Sequence, residues 1–368
     1  MWKNFIDWLD ERIQLRNIIQ AQILDYRLPK NINIFHTLGF LALIAFSVEA
    51  LTGIILMVYY VPHPDHAFRS VQEIMNIVPY GWLFRQMHAV GSNLLITVLF
   101  LHMITVFMMG NYKRPRELTW LSGSLSLVTI IMFGFSGYLL PWTQLSYWST
   151  TVVTAVPTAF PVVGDYVMHL LRGGEHVTDI TLSRFFAFHV AILPPIFLAL
   201  AALHLFLVNR IGISSTPFGM IVPEKNPRTD LYPTIYLRKN NADGYPYYPY
   251  FFRKQMYTMM AFFAVMFFII TFFPNLFFSG DANIPADPYR TPSQIRPEWY
   301  LLAPYQFLKL IPNKLLGIAL QLSLIAIFLF WPFLDTQEEK NVLKRPILRG
   351  VFLSLIALWI ILLLWGRS

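Results

Sequence analysis

Four histidines within apolar segments are the residues best suited to chemistry in this sequence. His88 and His102 lie fourteen residues apart in the run RQMHAVGSNLLITVLFLH, and His189 and His204 lie fifteen residues apart in a later apolar run. Fourteen residues of α-helix rise ~21 Å and make close to four whole turns, so the first two imidazoles share one face at two depths. An imidazole from each of two facing helices can ligate a haem iron from both sides. The pairs His88 with His189 and His102 with His204 therefore predict two haems at two depths.

Glycines recur at the same interval in the neighbouring apolar runs. Gly39 and Gly53 lie fourteen residues apart, as do Gly123 and Gly137. Glycine has no Cβ, so the backbone at these positions can approach the edge of a planar macrocycle closely. The extra residue between the later histidines adds ~100° of rotation, which local unwinding at the Pro-Pro pair between them can absorb. In the alternative interpretation each histidine bonds a carbonyl and each glycine only serves helix packing, which leaves four histidines at matched depths unexplained.

Membrane-spanning helices are the elements that must position these residues. The chain of 368 residues is 56% hydrophobic and only 13% charged, about half the ~25% charge of a soluble domain. Seven apolar segments approach or exceed the ~20 residues that cross a bilayer. We therefore predict an all-α polytopic membrane protein with seven transmembrane helices, of which the first four form a dihaem-binding bundle. The predicted spans cover residues 37–60, 81–109, 119–140, 184–208, 256–278, 315–334 and 347–365.

The stretches between the spans divide the chain into four predicted regions. Residues 1–36 form an amphipathic segment on the membrane surface, because apolar residues recur at helical spacing in MWKNFIDWLDERIQ. Residues 37–210 form the four-helix dihaem part, 211–255 a polar connecting loop, and 256–368 a C-terminal part with three helices. The stretch 141–183, which follows the third span, is mixed in character and is predicted to be a structured loop on the membrane surface.

The distribution of basic residues orients the chain. About two thirds of the 28 lysines and arginines lie on the side of the N-terminus, which the positive-inside rule identifies as the cytoplasmic or n side. Both histidine-bearing spans then run from the opposite, p side to the n side, so the histidine pairs match in depth. The net charge of +8 follows from this topology and gives no reason to expect nucleic acid. Because the chain has no cysteine, it can hold neither a thiolate iron–sulfur cluster nor a covalent c-type haem.

Motifs around and beyond the histidines resemble one family. The segments GWLFRQMHAVGSN, GYLLPWTQLSYWS, SRFFAFH and RPEWY are similar to cytochrome b of the cytochrome bc complexes, the quinol-oxidising, proton-translocating oxidoreductases. The resemblance covers nearly the whole chain. The fifteen-residue interval, KRPRELTW, PYQFLKLIPNKLLG and the seven spans most resemble the chloroplast and cyanobacterial type, a short cytochrome b with a separate subunit IV. The two parts would here be joined on one chain within residues 211–255.

Three single positions are among the departures from the family pattern, which also include the pair Asn209–Arg210 after the last histidine. Thr37 stands where the chloroplast type has the cysteine of a third, c-type haem, so the resemblance implies no such haem here. Thr105 replaces an arginine that follows the second histidine, which removes one expected propionate contact. Glu49 replaces a glutamine and places a carboxyl at membrane depth. Since a charge there is costly, we expect Glu49 to stay neutral and bond a nearby hydroxyl, with a role in a proton path as the alternative.

The resemblance implies a quinol-oxidation site near the p side. Its walls would be the PEWY segment, including Pro297 and Trp299, and the start of the loop after the third span. A carboxylate that accepts a proton from quinol suits this chemistry, and Glu298 is the candidate. Tyr300 and Tyr138 would shape the pocket or hydrogen-bond the substrate. The alternative for Glu298 is a structural carboxylate in a proline-rich loop.

Two arginines at the p-side ends of the histidine spans, Arg85 and Arg184, are predicted to pair with haem propionates. The alternative is that each extends to the membrane surface without a partner. The resemblance implies two non-covalent b haems and no c haem on this chain.

Partners and location also follow from the resemblance. It implies a Rieske iron–sulfur protein, a c-type cytochrome subunit, a homodimer within the complex, and quinol as substrate. One electron would pass to the Rieske protein, and the other through the p-side and n-side haems to a quinone near the n side. The setting would be an energy-transducing bilayer, namely a bacterial inner membrane, with the N-terminus in the cytoplasm. Two alternatives are a transporter or proton channel with buried histidines, and the dihaem membrane anchor of a dehydrogenase. The anchor would leave RPEWY and the last three spans unexplained.

Overall fold

A computed structural model describes residues 2–29, 32–214, 244–278, 280–293 and 295–367. The helices are α1 (Trp2–Ile13), α2 (Leu15–Ile19), α3 (Leu38–Met57), α4 (Pro64–Asn76), α5 (Gly81–Met108), α6 (Glu117–Leu139), α7 (Gln144–Ala155), α8 (Val163–Arg172), α9 (Asp179–Ala187), α10 (Leu193–Ile211), α11 (Phe252–Phe272), α12 (Trp299–Leu310), α13 (Lys314–Leu329), α14 (Trp331–Leu334) and α15 (Pro346–Arg367). Two short antiparallel strands, β1 (Arg27–Leu28) and β2 (Tyr245–Pro246), pair Arg27 with Pro246 and Leu28 with Tyr245.

Six helical segments of the described chain are long and apolar enough to cross a membrane. They coincide with six of the seven predicted spans and comprise Ile34–Met57, Gly81–Met108, Glu117–Leu139, Asp179–Ile211, Tyr247–Phe272 and Pro346–Arg367. The predicted span 315–334 is instead α13, of 16 residues, followed by the separate short helix α14. Sixteen residues rise only ~24 Å, less than the ~30 Å hydrocarbon core. The count of seven transmembrane helices is therefore not confirmed.

The break between α13 and α14 has a local cause. Pro332 has no backbone N–H with which to bond the carbonyl of Phe328, four residues earlier. The indole Nε1 of Trp120 donates to that carbonyl instead, at 2.9 Å. The helix therefore ends near Phe330, and α6 is fastened to the break.

The four histidine-bearing and glycine-bearing helices pack as two pairs. Helix α3 lies along α5, and α10 lies along α6. Between them the apolar core contains Ala45, Val90, Ile96 and Ile130, together with Met266 from α11. Because each glycine helix packs on a histidine helix, glycines and histidines at the same depth come into contact.

A π-helical turn, Phe188–Ile192, joins α9 to α10 and contains His189. A π-turn holds one more residue than an α-helical turn. It therefore takes up the extra residue in the fifteen-residue interval between His189 and His204. The predicted adjustment is present, and its form is a π-turn that ends two residues before Pro194.

The predicted surface loop at 141–183 is structured by α7, α8 and the turns that join them. The stretch that precedes the PEWY segment packs against the start of α7. Gln144 N donates to Ile284 O at 2.8 Å, and Asp287 N donates to Gln144 Oε1 at 2.7 Å. Ser149 Oγ on the same helix donates to Arg296 O at 3.1 Å. Hydrogen bonds to one short helix thus fix the position of the loop that leads into RPEWY.

A buried ionic cluster around Asp335 joins the N-terminal part of the chain to the C-terminal part. The Asp335 side chain is only 3% exposed and receives two hydrogen bonds from Arg345, at 2.6 and 2.7 Å. Lys113 Nζ lies 2.9 Å from Oδ2 of Asp335, and the Tyr112 hydroxyl donates to the same oxygen at 2.6 Å. Burial alone would raise the pKa of Asp335, but the hydrogen bonds from Arg345, Tyr112 and Lys113 hold it well below its usual value. Lys113 and Tyr112 lie between α5 and α6, so the cluster ties the first four spans to α14 and α15.

The N-terminal and connecting regions agree with prediction only in part. Helix α1 forms where the amphipathic segment predicts it. The predicted connecting loop 211–255 lies mostly outside the described residues, and its last part forms β2 and a π-turn, Tyr247–Phe251. The division into four regions stays a prediction.

Candidate dihaem and quinol site

The histidines predicted to lie near the p side have the spacing of two ligands to one iron. The ring centroids of His88 and His189 lie 6.2 Å apart, and the ring planes are 82° from parallel. Two metal–imidazole bonds of ~2 Å place the centroids of opposed rings about 6 Å apart. The two residues therefore fit bis-imidazole ligation of a haem iron. Within the described residues no group of three or more histidine, aspartate or glutamate side chains is arranged to hold a metal ion.

Three of the four histidines have their Nδ1 atom occupied, which leaves Nε2 as the ring nitrogen available to a metal. Nδ1 of His189 lies 3.1 Å from the hydroxyl of Ser136. Nδ1 of His204 lies 2.9 Å from the carbonyl oxygen of Thr119 and 3.2 Å from the hydroxyl of Ser122. Partners of this kind fix the tautomer and the orientation of metal-binding imidazoles.

His88 is the third of these histidines, and His102 is the one whose Nδ1 atom is not occupied. Nδ1 of His88 lies 3.0 Å from the hydroxyl of Thr52 and 3.2 Å from Oε2 of Glu49. Nδ1 of His102 is buried and has no hydrogen-bond partner among the described residues. Nδ1 of His88 thus lies beside a carboxyl, while Nδ1 of His102 has no hydrogen-bond partner among the described residues.

Each predicted glycine lies against one histidine ring. A Cβ atom at Gly53 would be 3.1 Å from His88 Cε1, and one at Gly39 would be 3.3 Å from His102 Cε1. A Cβ atom at Gly137 would be 2.6 Å from His189 Cε1, and one at Gly123 would be 2.9 Å from His204 Cε1. The pairing by depth agrees with the prediction. The glycines lie against the imidazole rings, and room for the edge of a macrocycle stays a prediction.

The hydroxyl partners were not identified from the sequence, although a signal was present. Thr52, Ser122 and Ser136 each directly precede one of the glycines, as T-G or S-G. A helix places consecutive residues on adjoining parts of its surface, so the glycine admits the ring and the preceding hydroxyl meets its Nδ1. The fourth glycine follows Leu38, and its histidine, His102, is the one without a partner among the described residues.

Glu49 does not take the position expected for it. Its carboxyl lies beside the His88 ring and against Gly91, whose missing Cβ leaves room for Oε1. Oε1 itself has no hydrogen-bond partner among the described residues. The expected bond to a hydroxyl is therefore absent from the described contacts of the carboxyl.

The two arginines at the p-side ends of the histidine helices have different surroundings. Arg85 lies close enough to interact electrostatically with both Glu49 and Glu298, and its guanidinium stacks 5.4 Å from the Phe278 ring. Arg184 instead donates to the carbonyl oxygens of His169 and Leu170 at the end of α8. Pairing with haem propionates stays a prediction for both.

The PEWY residues lie between α5 and α15. Trp299 Nε1 donates to Asn93 Oδ1 at 2.7 Å, and its ring packs edge-on against Phe100 and Trp359. Pro297 precedes the residue that caps α12, and Glu298 is that N-cap, its carbonyl accepting from Leu301 N at 2.8 Å. Asn93 belongs to the same helix as the p-side ligand His88, so one rigid element positions both sites.

The carboxyl of Glu298 has the properties of a proton acceptor that works near neutral pH. Burial raises its pKa to about 7, although the positive charge of Arg85 opposes that rise. Tyr300 is buried against Ile96 in the core, and its hydroxyl contacts the α6 backbone at Gly134. Tyr138 lies one turn further along α6, near enough to interact electrostatically with Tyr300. The structure therefore brings Glu298, Tyr300 and Tyr138 into one region beside the p-side histidines.

Comparisons with known proteins agree with these features. Residues 23–212 match the family described as Cytochrome b/b6/petB, and residues 285–368 match the family described as Cytochrome b(C-terminal)/b6/petD. Cytochrome b of Rhodospirillum rubrum is 37% identical over 352 residues, which cover 95% of this chain and 82% of that protein. Cytochrome b of Rickettsia conorii is 38% identical over 347 residues, covering 94% and 82%. A solved structure titled Hyperthermophilic respiratory Complex III is 36% identical, with a TM-score of 0.88, and the match covers 99% of this chain and 91% of that one.

These relatives correct one expectation from the sequence. The motifs suggested a short chloroplast-type cytochrome b joined to subunit IV, whereas the chain aligns over almost its full length with undivided cytochromes b. Short motifs shared with one branch of a family carry less weight than identity along the whole chain. The chain belongs to the cytochrome b family, whose members are membrane subunits of quinol–cytochrome c oxidoreductase, respiratory complex III.

Proposed function

We propose that this chain is the dihaem subunit of a quinol-oxidising bc complex, with a b haem held between His88 and His189 and a second between His102 and His204. The observation that carries the proposal is the p-side pair, with its centroid separation of 6.2 Å and its occupied Nδ1 atoms. When bound, the two haems supply one-electron carriers at two depths of the membrane. The imidazoles hold them by non-covalent ligation, since the chain has no cysteine for covalent attachment.

Quinol is oxidised near the p side, beside the PEWY segment. Glu298 accepts a proton there, because its raised pKa of about 7 lets it bind and release a proton near neutral pH. Trp299 fixes the segment to α5 through Asn93, and Tyr300 and Tyr138 line the same region. The packing of the preceding loop on α7 supports this placement, since it brings the walls of the site together.

The proposed partners carry the iron–sulfur cluster and the c-type haem that this chain, which has no cysteine, cannot hold. Quinol gives up two electrons, and a Rieske iron–sulfur protein accepts the one that leaves on the p side. A c-type cytochrome subunit then accepts that electron, and a quinone near the n side receives the other. The complex is a homodimer in a bacterial inner membrane, with the N-terminus of this chain in the cytoplasm, where most of its basic residues lie.

Spectra and staining of the purified complex test the proposal. We expect a reduced-minus-oxidised spectrum with b-type haem at two per chain, and a denaturing gel in which haem stain leaves this chain dark. A complex without visible-range absorbance would indicate a transporter or channel instead, and haem retained on the denatured chain would contradict non-covalent ligation. Inhibitors of p-side quinol sites should block turnover. Turnover that is insensitive to them would favour a dehydrogenase anchor.

A further inference from the structure

Two helices of the bundle each hold one aromatic side chain of the PEWY segment. Trp299 Nε1 donates to Asn93 Oδ1 on α5 at 2.7 Å. The hydroxyl of the next residue, Tyr300, lies beside Gly134 on α6. Both aromatic residues directly follow Glu298, and consecutive Cα atoms are only ~3.8 Å apart. The contacts that fix the two rings therefore also fix the point from which the Glu298 carboxyl extends.

Asn93 is matched to the indole of Trp299. Its side chain is buried and both ends of the amide are used, because Oδ1 accepts from the indole while Nδ2 donates to Ala89 O at 2.8 Å. The indole has a single N–H and can only donate, and its ring packs edge-on against Phe100 and Trp359. Without Asn93 Oδ1 this donor would be left unpaired among apolar rings, which is costly.

Gly134 is matched to the phenol of Tyr300. A Cβ atom at Gly134 would collide with the Tyr300 hydroxyl and would lie 2.9 Å from Cζ. Tyr300 is buried, and its ring packs edge-on against that of Trp299 with the centroids 5.7 Å apart. Since packed rings leave little room for movement, the missing side chain of Gly134 is what admits the phenol.

We propose that Asn93 and Gly134 are positioning residues for quinol oxidation, which orient the Glu298 carboxyl by fixing Trp299 and Tyr300. The inference rests on the proposed function, since it requires Glu298 to accept a proton from quinol. Because the two contacts come from different helices, they restrain the segment in two directions. A catalytic group must stay within about 0.5 Å of its productive geometry, and a displacement of ~1 Å can cost about 10²-fold in rate.

Steady-state kinetics of the purified complex tests the proposal, with decylubiquinol and menadiol as alternative electron donors. Asn93→Leu keeps the size of the side chain but removes the acceptor, and Gly134→Ala adds one methyl group at the Tyr300 hydroxyl. We expect each variant to lower kcat by about ten- to 10²-fold. Both b haems should remain, since no haem ligand is altered. KM should change little, because the residues act on a catalytic group and not on the substrate.

Second substitutions at the aromatic residues separate the two contacts. Tyr300→Phe removes the hydroxyl that Gly134→Ala displaces, so Gly134→Ala should cost less in that background than in the unaltered complex. Trp299→Phe removes the indole donor, so Asn93→Leu should cost less in that background. The crossed combinations lack this relief, and Asn93→Leu should still lower kcat in full when Tyr300 is replaced by phenylalanine.

Ser92→Ala is the matched control on α5. Ser92 Oγ donates at 3.0 Å to Ala89 O, the carbonyl that Asn93 Nδ2 also bonds. Its loss should leave kcat unchanged. An equal fall in Ser92→Ala, or a loss confined to KM in Asn93→Leu and Gly134→Ala, would overturn the proposal. Unchanged kcat in both of those variants would do the same.

The aromatic variants also cover failure of a single variant to assemble. Trp299→Phe removes the Asn93 hydrogen bond from the other side, so an unchanged kcat in it would overturn the role of Asn93. Assembly of Gly134→Ala that is restored by Tyr300→Phe and not by Trp299→Phe would support the contact with the phenol, and the reverse would overturn it. An unaltered complex that oxidises neither quinol would overturn the proposed function instead.

Discussion

Replacing the four glycines one at a time with alanine should weaken haem binding most where the new Cβ atom would lie closest to a histidine ring. At Gly137 the new Cβ would lie 2.6 Å from His189 Cε1, and ordinary contact begins at 3.4 Å. The ring must therefore retreat by about 0.8 Å, whereas a metal–ligand distance tolerates only ~0.2 Å. At Gly39 the corresponding distance is 3.3 Å, so His102 needs to yield by only about 0.1 Å.

The expected magnitude follows from these displacements. Disturbing the group that orients a metal ligand typically costs ~10–100-fold in metal affinity, and moving the ligand itself should cost at least the upper value. We expect Gly137→Ala to lose the p-side haem and keep the n-side haem. Gly39→Ala should keep both, and overpacking at each site should cost ~1–3 kcal/mol of stability. The distances at Gly123 (2.9 Å) and Gly53 (3.1 Å) are intermediate, so Gly123→Ala should lose more haem than Gly53→Ala.

The assay is haem content per chain by difference spectroscopy, with the two haems separated by redox titration. Gly350→Ala is the control for expression and assembly, because a Cβ there meets nothing within 4 Å. Equal haem loss in all four variants, or full p-side occupancy in Gly137→Ala, would refute the view that these glycines exist to admit the rings.

Three other predictions concern single side chains. Replacing His204 with leucine should remove the n-side haem and leave p-side quinol binding largely intact, which haem spectra and inhibitor binding can check; selective loss of the p-side signal would refute the depth assignment. Since Glu298 must be deprotonated to accept a proton and its pKa is raised to about 7, quinol oxidation should rise with pH through that value. Glu298→Gln should lower the rate by up to ~10²-fold and flatten the profile at full haem content, and an unchanged rate and profile would make it a structural residue. Asp335→Asn should destabilise the protein by ~3–5 kcal/mol, because it leaves buried cations unpaired, and so lower the thermal unfolding temperature in detergent. Glu73→Gln, at an exposed pair with Arg69, should change that temperature little.

Much of the framework was predictable because a bilayer imposes it. Hydrophobic runs of sufficient length must form helices, since no water is present to bond free backbone groups. Six predicted spans coincide with apolar helices for that reason. The seventh is not confirmed as one continuous span, because hydropathy does not register that Pro332 interrupts the hydrogen-bond ladder while Trp120 takes the freed carbonyl.

The sequence by itself determined the depths of the chemistry. Helical rise and periodicity are properties of local backbone, so intervals of fourteen residues placed histidines and glycines at two levels without knowledge of any contact. The π-turn at His189 preserves that register despite the additional residue.

Only the tertiary structure decided what each side chain touches. Contacts between helices depend on the rotation and tilt of each helix about its neighbour, which no local pattern specifies. That the glycines of α3 and α6 face imidazole rings, and that Thr52, Ser122 and Ser136 meet Nδ1 atoms, follows from helix pairing alone. The same packing brings the Glu49 carboxyl to His88, because α3 and α5 approach closely enough at Gly53 and Gly91 for a side chain on one helix to reach a ring on the other.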